Sequence, residues 1–406
     1  MLHEFWDNFT HNLFKPLLMF FYLGFLIPVL KVQFEFPYAV YQGLTMYLLL
    51  AIGWHGGEEL AAINPSEIDH IAGFMALGFV LNFVIGTIAY FVLKHATRLR
   101  RIDAATVAGY YGSDSAGTFA TCVGVLVALG MAFDAYMPVM LAVMEIPGCL
   151  VALFLVSRLR HKGMDAAGFM PFEPGYTAPA KAGVGPGAAT RPTGERPGAQ
   201  YGPGVEQELE FSLEKMEHPE SESEPHPARP GDKKALFSAA LLQEVFLNPG
   251  LALLFGGILI GFVGGLQGVK AVHDYDDFFV SAFQGVLCLF LLEMGMTASR
   301  KLKDLKRAGI GFILFGLIMP NVFAALGITV AHAYAHLTNT EFKPGTYVLF
   351  AVLCAAASYI AVPAVQRLAI PEASPTLPLA ASLALTFSYN VTIGIPVYIL
   401  IANSFT

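Results

Sequence analysis

Two short runs of small and hydroxylated residues interrupt otherwise apolar stretches of this chain. They are Gly112-Ser113-Asp114-Ser115-Ala116-Gly117-Thr118 and Ala357-Ser358-Tyr359-Ile360-Ala361-Val362-Pro363. Unwound backbone inside hydrocarbon is tolerated only where protein, ion or ligand pairs its N–H and C=O groups. The small residues let a backbone approach a ligand closely, and the hydroxyls add donors. A half-helix starting after such a break aims its free N–H groups and positive dipole end at the membrane centre. In the second run Pro363 removes a backbone donor and clashes with the preceding turn. Two such ends make an anion site that needs no buried Lys or Arg. The residues expected to hold the anion are Gly112, Ser113, Ser115, Thr118, Ser358 and Tyr359. Small-residue helix packing is the plainer alternative for both runs.

Ionisable groups within apolar spans are costly and point to function. Glu145, directly before Ile146-Pro147, is the first candidate for a cation ligand or proton carrier. Asn390, six residues before Pro396, offers an amide oxygen, and Asp114 either coordinates or pairs with a neighbour. A hard cation such as Na⁺ takes oxygen donors of this kind, so Asp114, Glu145 and Asn390 form the expected sodium set. Glu293 reads as structural. His332 and His336 read as interfacial, and Trp54/His55 with Glu58/Glu59 read as a solvated helix end or the lining of an access path. No nucleophile–base set, zinc motif or Walker motif is present. The chain therefore reads as a non-enzyme with no cofactor beyond a coupling ion.

The elements that must position these groups follow from composition. The 406 residues are 55% hydrophobic and 14% charged, with a mean hydropathy of +0.57; ordinary soluble domains carry about 25% charged residues. A helix needs about 20 apolar residues to cross a bilayer. Such windows lie near 14–30, 36–54, 71–93, 104–130 and 136–157, and again near 246–266, 278–298, 308–334, 345–370 and 379–402. The first has no basic segment before it and no cleavage pattern after it, so it reads as a retained span. Residues 161–237 between the two sets are rich in Gly, Pro and charge and read as a disordered linker. Within it, 205–217 has the pattern of a short amphipathic helix. The net charge of −7 argues against nucleic-acid binding. Cys122, Cys149, Cys288 and Cys354 sit in apolar segments at spacings unlike metal or disulfide frames.

If the spans alternate, all of the 24 Lys and Arg except Lys15, Lys270 and Lys343 fall on one side. The other side collects Glu58, Glu59, Glu67, Asp69, Asp274, Asp276 and Asp277. The positive-inside rule then puts the linker in the cytoplasm and both termini outside. The two sets of five also share motifs in the same order: the small-residue breaks fall in the fourth and ninth spans. Ile146-Pro147 and Ile395-Pro396 fall in the fifth and tenth. Five spans per half is odd, so the halves are inverted across the membrane, the sequence signature of secondary transporters. The fold class expected is an all-α membrane protein of ten transmembrane helices, two inverted five-helix repeats (1–160 and 238–406) with interrupted fourth and ninth helices.

The runs RRIDAATVAGYYGSDSAGTF, MEIPG, ASYIAVPAVQRLAIPEASPT and IGIPVYI resemble the sodium-dependent bicarbonate transporter family. The likeness spans both membrane halves, excludes the linker, and is nearer the non-cyanobacterial branch. It implies bicarbonate uptake with Na⁺ across a bacterial inner membrane, a homotrimer, and a PII-like cytoplasmic regulator. It places Ser115, Thr118, Glu145 and Ser358 at family site positions. The alternatives are a carrier of another small anion coupled to Na⁺ or H⁺, or a membrane sensor or channel signalling through the linker.

Overall fold

In the computed structural model the described residues are 15–63, 67–177, 249–268, 275–305 and 309–405. Among them every regular element is helical. The first set comprises α1 (Pro16–Val29), α2 (Tyr38–Leu60), α3 (Ile68–Ala96), α4 (Arg101–Tyr111), α5 (Ala116–Leu129) and α6 (Met137–His161). The second comprises α7 (Pro249–Gln267), α8 (Phe283–Leu305), α9 (Ile310–Thr338), α10 (Pro344–Ala355), α11 (Ala361–Ala369) and the span α12 (Thr376–Ser404). Seven spans, counting α4 with α5 as one, are long and apolar enough to cross a membrane, and α1 and α10 are shorter apolar helices. The proposed helix at 205–217 lies outside the described residues.

Close helix pairs rest on glycine. Gly53 and Gly57 of α2 face Gly257 and Gly261 of α7. A Cβ on Gly57 would stand 2.1 Å from the Ile258 carbonyl oxygen, and one on Gly261 would stand 2.1 Å from that of Trp54. Spacings of four residues on both partners put small residues on one face of each helix, the usual membrane packing device. α1 meets α8 in the same way: a Cβ on Gly24 would lie 1.9 Å from the Leu292 oxygen. The outer faces of these helices stay apolar and exposed, with Phe255, Leu259, Ile260 and Leu266 on α7 and Leu314, Ile318 and Val322 on α9. Such a surface suits lipid.

The broken spans hold the centre. In the most apolar stretch of Arg101–Leu129, 78% of the residues are buried, against 28% in α7, and α10 is buried from Gly345 to Ala355. α4 with α5 and α10 with α11 run antiparallel and are tied at three levels. At one end Gly345 N–H donates to Ala132 O (2.8 Å), while Asp134 Oδ2 accepts from Thr346 Oγ1 (2.7 Å). In the middle Ser358 N–H donates to Tyr110 O (2.8 Å). At the other end Ser374 N–H donates to Asp103 Oδ1 (2.8 Å).

That last, basic end carries a clamp. Arg100 Nε and Nη2 donate to the two oxygens of the buried Asp103 (2.7 and 2.9 Å). Arg160 Nη2, from the end of α6, donates to Glu372 Oε2 and Ala369 O (both 2.8 Å). Residues 163–177, which the composition assigns to a disordered linker, are folded here. Glu173 Oε1 accepts from Arg101 N–H (2.7 Å) and satisfies the start of α4. Met170 is buried, Arg100 reaches Ala167 O (3.0 Å) and lies over the Phe169 ring. The reason is local: acidic side chains in a Gly-rich stretch found backbone N–H partners, which composition does not encode. Residues 178–248 lie outside the described set.

Two outcomes test this end. Arg160→Ala strands Glu372 and the Ala369 carbonyl, at about 1.5–3 kcal/mol for hydrogen bonds to a charged group. The thermal midpoint of the purified protein should fall by roughly 5 °C. Asp165 Oδ1 and Oδ2 accept from the N–H groups of Ala167 (3.0 Å), Phe169 (2.8 Å) and Thr177 (2.8 Å). Slight burial pushes its pKa up, but these backbone bonds together outweigh it and hold the carboxyl below its ordinary value. A depressed folded-state pKa stabilises the segment above the unfolded value of about 3.9 and is lost as pH falls below it. Hydrogen exchange at 165–177 should therefore be protected at pH 6 and lose that protection below about pH 4.

Candidate functional site

The site is the crossing of the two breaks. α4 ends at Tyr111 and α5 begins at Ala116; α10 ends at Ala355 and α11 begins at Ala361. Each break thus brings one helix C-terminus and one N-terminus to the middle of the molecule. The C-terminal carbonyls have protein partners: Tyr110 O accepts from Ser358 N–H, and Ala355 O accepts from Asn390 Nδ2 (3.0 Å). At the start of α5, Ser115 is the N-cap: its Oγ accepts from Thr118 N–H (3.2 Å) and from Thr118 Oγ1 (2.9 Å). That cap answers the third N–H of the helix, and the N–H groups of Ala116 and Gly117 stand before it.

The first break has two chemically different faces. One faces α3, α6 and α10. Ser113 Oγ donates to Glu145 O (2.8 Å), and Asn82 Nδ2 donates to Met144 O (2.8 Å). Glycine makes this packing tight, since a Cβ on Gly148 would stand 2.2 Å from Gly109 O and 2.5 Å from Ser113 Cβ. Gly112 fits against Gly86 and the Asn82 carbonyl in the same manner. Asp114 is 1% exposed and neither of its carboxyl oxygens has a hydrogen-bond partner. Its carboxyl lies close enough to that of Glu145 to interact with it, and near Cys354 of α10. The Asn82 side-chain oxygen is also buried without a partner. This face is rich in unsatisfied oxygens.

The other face looks toward α2 and α8. A small cavity lies there, lined by Thr45, Leu48, Ala116, Gly117, Phe290 and Tyr359 among others. Tyr359 is 9% exposed, and its hydroxyl lies within hydrogen-bonding reach of the Ser115 side chain and the Gly117 N–H. The hydroxyl stands over the start of α5, 2.0 Å from where a Gly117 Cβ would be. Its ring meets Phe387 edge-on, centroids 5.8 Å apart. Phe387 belongs to a stretch of α12 wound as π-helix, Ala380–Phe387, followed by a second at Asn390–Gly394. Such windings cluster at functional sites. A larger cavity of about 80 Å³, lined by His55, Phe119, Val123, Val127 and Gln284 among others, continues along α2 and α5. Ile52 lines both.

The residues singled out by the sequence fall in several places. Gly112, Ser113, Ser115, Thr118, Ser358 and Tyr359 form the two breaks; Asp114 and Glu145 approach each other. The Asn390 amide donates to Ala355 O (3.0 Å), and its side-chain oxygen accepts from Tyr398 (2.7 Å). Glu293 Oε1 accepts from Thr297 (3.0 Å), and His332 stacks on Tyr347. His55 lines the larger cavity rather than only capping a helix. Thr45 and Asn82 were not singled out. A lone Asn in the apolar run of α3 was the available signal for the second, while Thr45 carried none.

The model of the Na⁺-dependent bicarbonate transporter superfamily matches residues 16–403. No curated protein matches the chain.

Gly148→Ala should disrupt this site, because the new methyl meets backbone that cannot yield cheaply. A cost of about 1–3 kcal/mol is expected for overpacking. The variant should show a lower thermal midpoint and a smaller monodisperse fraction in detergent than Gly285→Ala, whose added Cβ meets open space.

Proposed function

Because the chain belongs to the Na⁺-dependent bicarbonate transporter superfamily, we propose that it is a secondary carrier bringing bicarbonate into the cell with Na⁺. The observation that carries this reading is the two-faced break. Unsatisfied carboxylate and amide oxygens of Asp114 and Asn82 with Glu145 lie on one side, and a helix N-terminus beneath a buried hydroxyl lies on the other. A cation on the first face and an anion on the second share Gly112–Gly117. Each then favours binding of its partner across the short backbone between them. Asp114 and Glu145 supply the cation ligands, and Asn390 secures the second break. Entry of one Na⁺ with one monovalent anion is electroneutral, so the roughly 2.3 kcal/mol per charge for each 100 mV cancels between the two ions and the Na⁺ concentration gradient drives accumulation.

The architecture proposed is two inverted five-helix repeats. Its support is the pairing: α1 with α8 and α2 with α7 exchange when the halves are swapped, α3 packs on α9, and the two broken spans run antiparallel. The basic clamp end is cytoplasmic by the charge distribution, in a bacterial inner membrane, with both termini outside. A homotrimer and a PII-like regulator at the clamp end follow the family.

Labelled bicarbonate uptake into proteoliposomes tests the reading. Accumulation should saturate and require an inward Na⁺ gradient, while a sensor would show none. Glu145→Ala is expected to abolish the Na⁺ dependence. Uptake that remains fully Na⁺-dependent in that variant would remove Glu145 from the cation site. Uptake driven equally by a proton gradient would replace Na⁺ with H⁺.

A further inference from the structure

Pro320 sits inside α9, which continues on both sides of it. Proline has no N–H, so the carbonyl four residues back, Gly316 O, loses its helical partner. No water in a bilayer can replace that donor. It comes instead from another span: Thr386 Oγ1 of α12 donates to Gly316 O (3.4 Å). A threonine hydroxyl has one proton. In the bond between Thr386 Oγ1 and the Tyr111 hydroxyl (2.6 Å), the tyrosine is therefore the donor. Tyr111 is the last residue of α4, directly before the first break, and is fully buried. Thr386 thus joins α9 at its proline to the end of α4. The glycine makes this meeting possible, since a Cβ on Gly316 would stand 2.9 Å from Leu385 Cδ1 and 3.4 Å from the Tyr111 hydroxyl oxygen.

The stretch that carries Thr386 is wound as π-helix over Ala380–Phe387 and Asn390–Gly394. α6, which carries the other Ile-Pro, is α-helical from Met137 to His161. About one turn past Thr386, Asn390 Nδ2 donates to Ala355 O at the end of α10. Beside it, the Tyr389 hydroxyl donates to Asn321 Oδ1 (2.8 Å), next to Pro320. One short stretch of α12 therefore bonds the C-terminal ends of both broken helices and grips α9 on either side of its proline.

We propose that Thr386 is a positioning residue for transport: from the π-wound stretch of α12 it fixes Tyr111, and through it the first break, relative to the second. It acts through Tyr111 rather than as a ligand of either ion. The inference rests on the carrier reading above, in which both ions share the first break, and names what holds that break in place. Displacing the break moves the constants for both ions together, whereas loss of a ligand moves one of them.

Uptake of labelled bicarbonate into proteoliposomes gives both constants. Thr386→Val keeps the shape and removes the hydroxyl. It should raise the bicarbonate KM and the Na⁺ concentration for half-maximal uptake together, each about tenfold, the size of one lost buried hydrogen bond. Tyr111→Phe removes only the bond to α4 and should raise both in the same way. Thr386→Ser keeps the hydroxyl and should hold both at the wild-type values. Pro320→Ala added to Thr386→Val gives Gly316 O a helical N–H again. That double variant should recover the thermal midpoint lost in Thr386→Val while both constants stay raised. Unchanged constants in Tyr111→Phe overturn the assignment, and this variant decides where Thr386→Val fails to fold. A rise in one constant alone overturns it too, as does recovery of both by Pro320→Ala, because Thr386 then only satisfies a carbonyl. The carrier reading survives each of those results. Absence of Na⁺-driven bicarbonate uptake in the wild type removes that reading and this inference with it.

Discussion

A single backbone hydrogen bond, Ser358 N–H to Tyr110 O, joins the two broken spans where they cross. The rest of the molecule is arranged around the constraint that bond expresses. Backbone opened inside hydrocarbon has no water to turn to, so each opened group must find a protein partner or a ligand. Carbonyls at the ends of α4 and α10 are bonded by Ser358 and Asn390, whereas the start of α5 is met by Ser115 and the Tyr359 hydroxyl.

Holding two interrupted helices in register requires clamps beyond the crossing. Asp134 with Thr346 fixes one end, and Asp103 with Ser374, Arg160 with Glu372 and Glu173 on Arg101 N–H fix the other. Between these ends the glycines of α3, α4 and α6 draw backbone against backbone, so that Ser113 reaches Glu145 O and Asp114 is buried beside Glu145. Position here is set by tight packing, and the polar bonds inherit it.

How much of this was legible in the chain varies by the kind of signal. The breaks were plain because Gly112–Ser115 and Pro363 disrupt apolar runs, and disruption is local information. The membrane class followed from composition, and the pairing of Asp114 with Glu145 was half visible, as two acids in apolar spans. What the chain did not disclose depends on neighbours far along the sequence. Thr45 lines the cavity only because α5 stands opposite it; nothing near residue 45 says so. Tyr359 was singled out as part of a break, yet the direction of its hydroxyl is set by Phe387 and by the absent side chain of Gly117. Residues 163–177 read as linker because Gly and Pro dominate the average. Two well-placed carboxylates and one buried methionine were enough to fold them against the clamp.

The choice of helix ends and a phenol over a buried arginine has an energetic logic. A full cation fixed in the crossing would face the same desolvation cost in every state of the protein, and would bind a small anion firmly enough to hinder release. Partial charges of about half a unit at a helix N-terminus attract an anion without that penalty when the site is empty. The carboxyls of Asp114 and Glu145 lie across the break, where the proposed cation would bind between them. In the carrier proposed above, the two ions would share one short stretch of backbone, Gly112 to Gly117, and that shared backbone would link their binding.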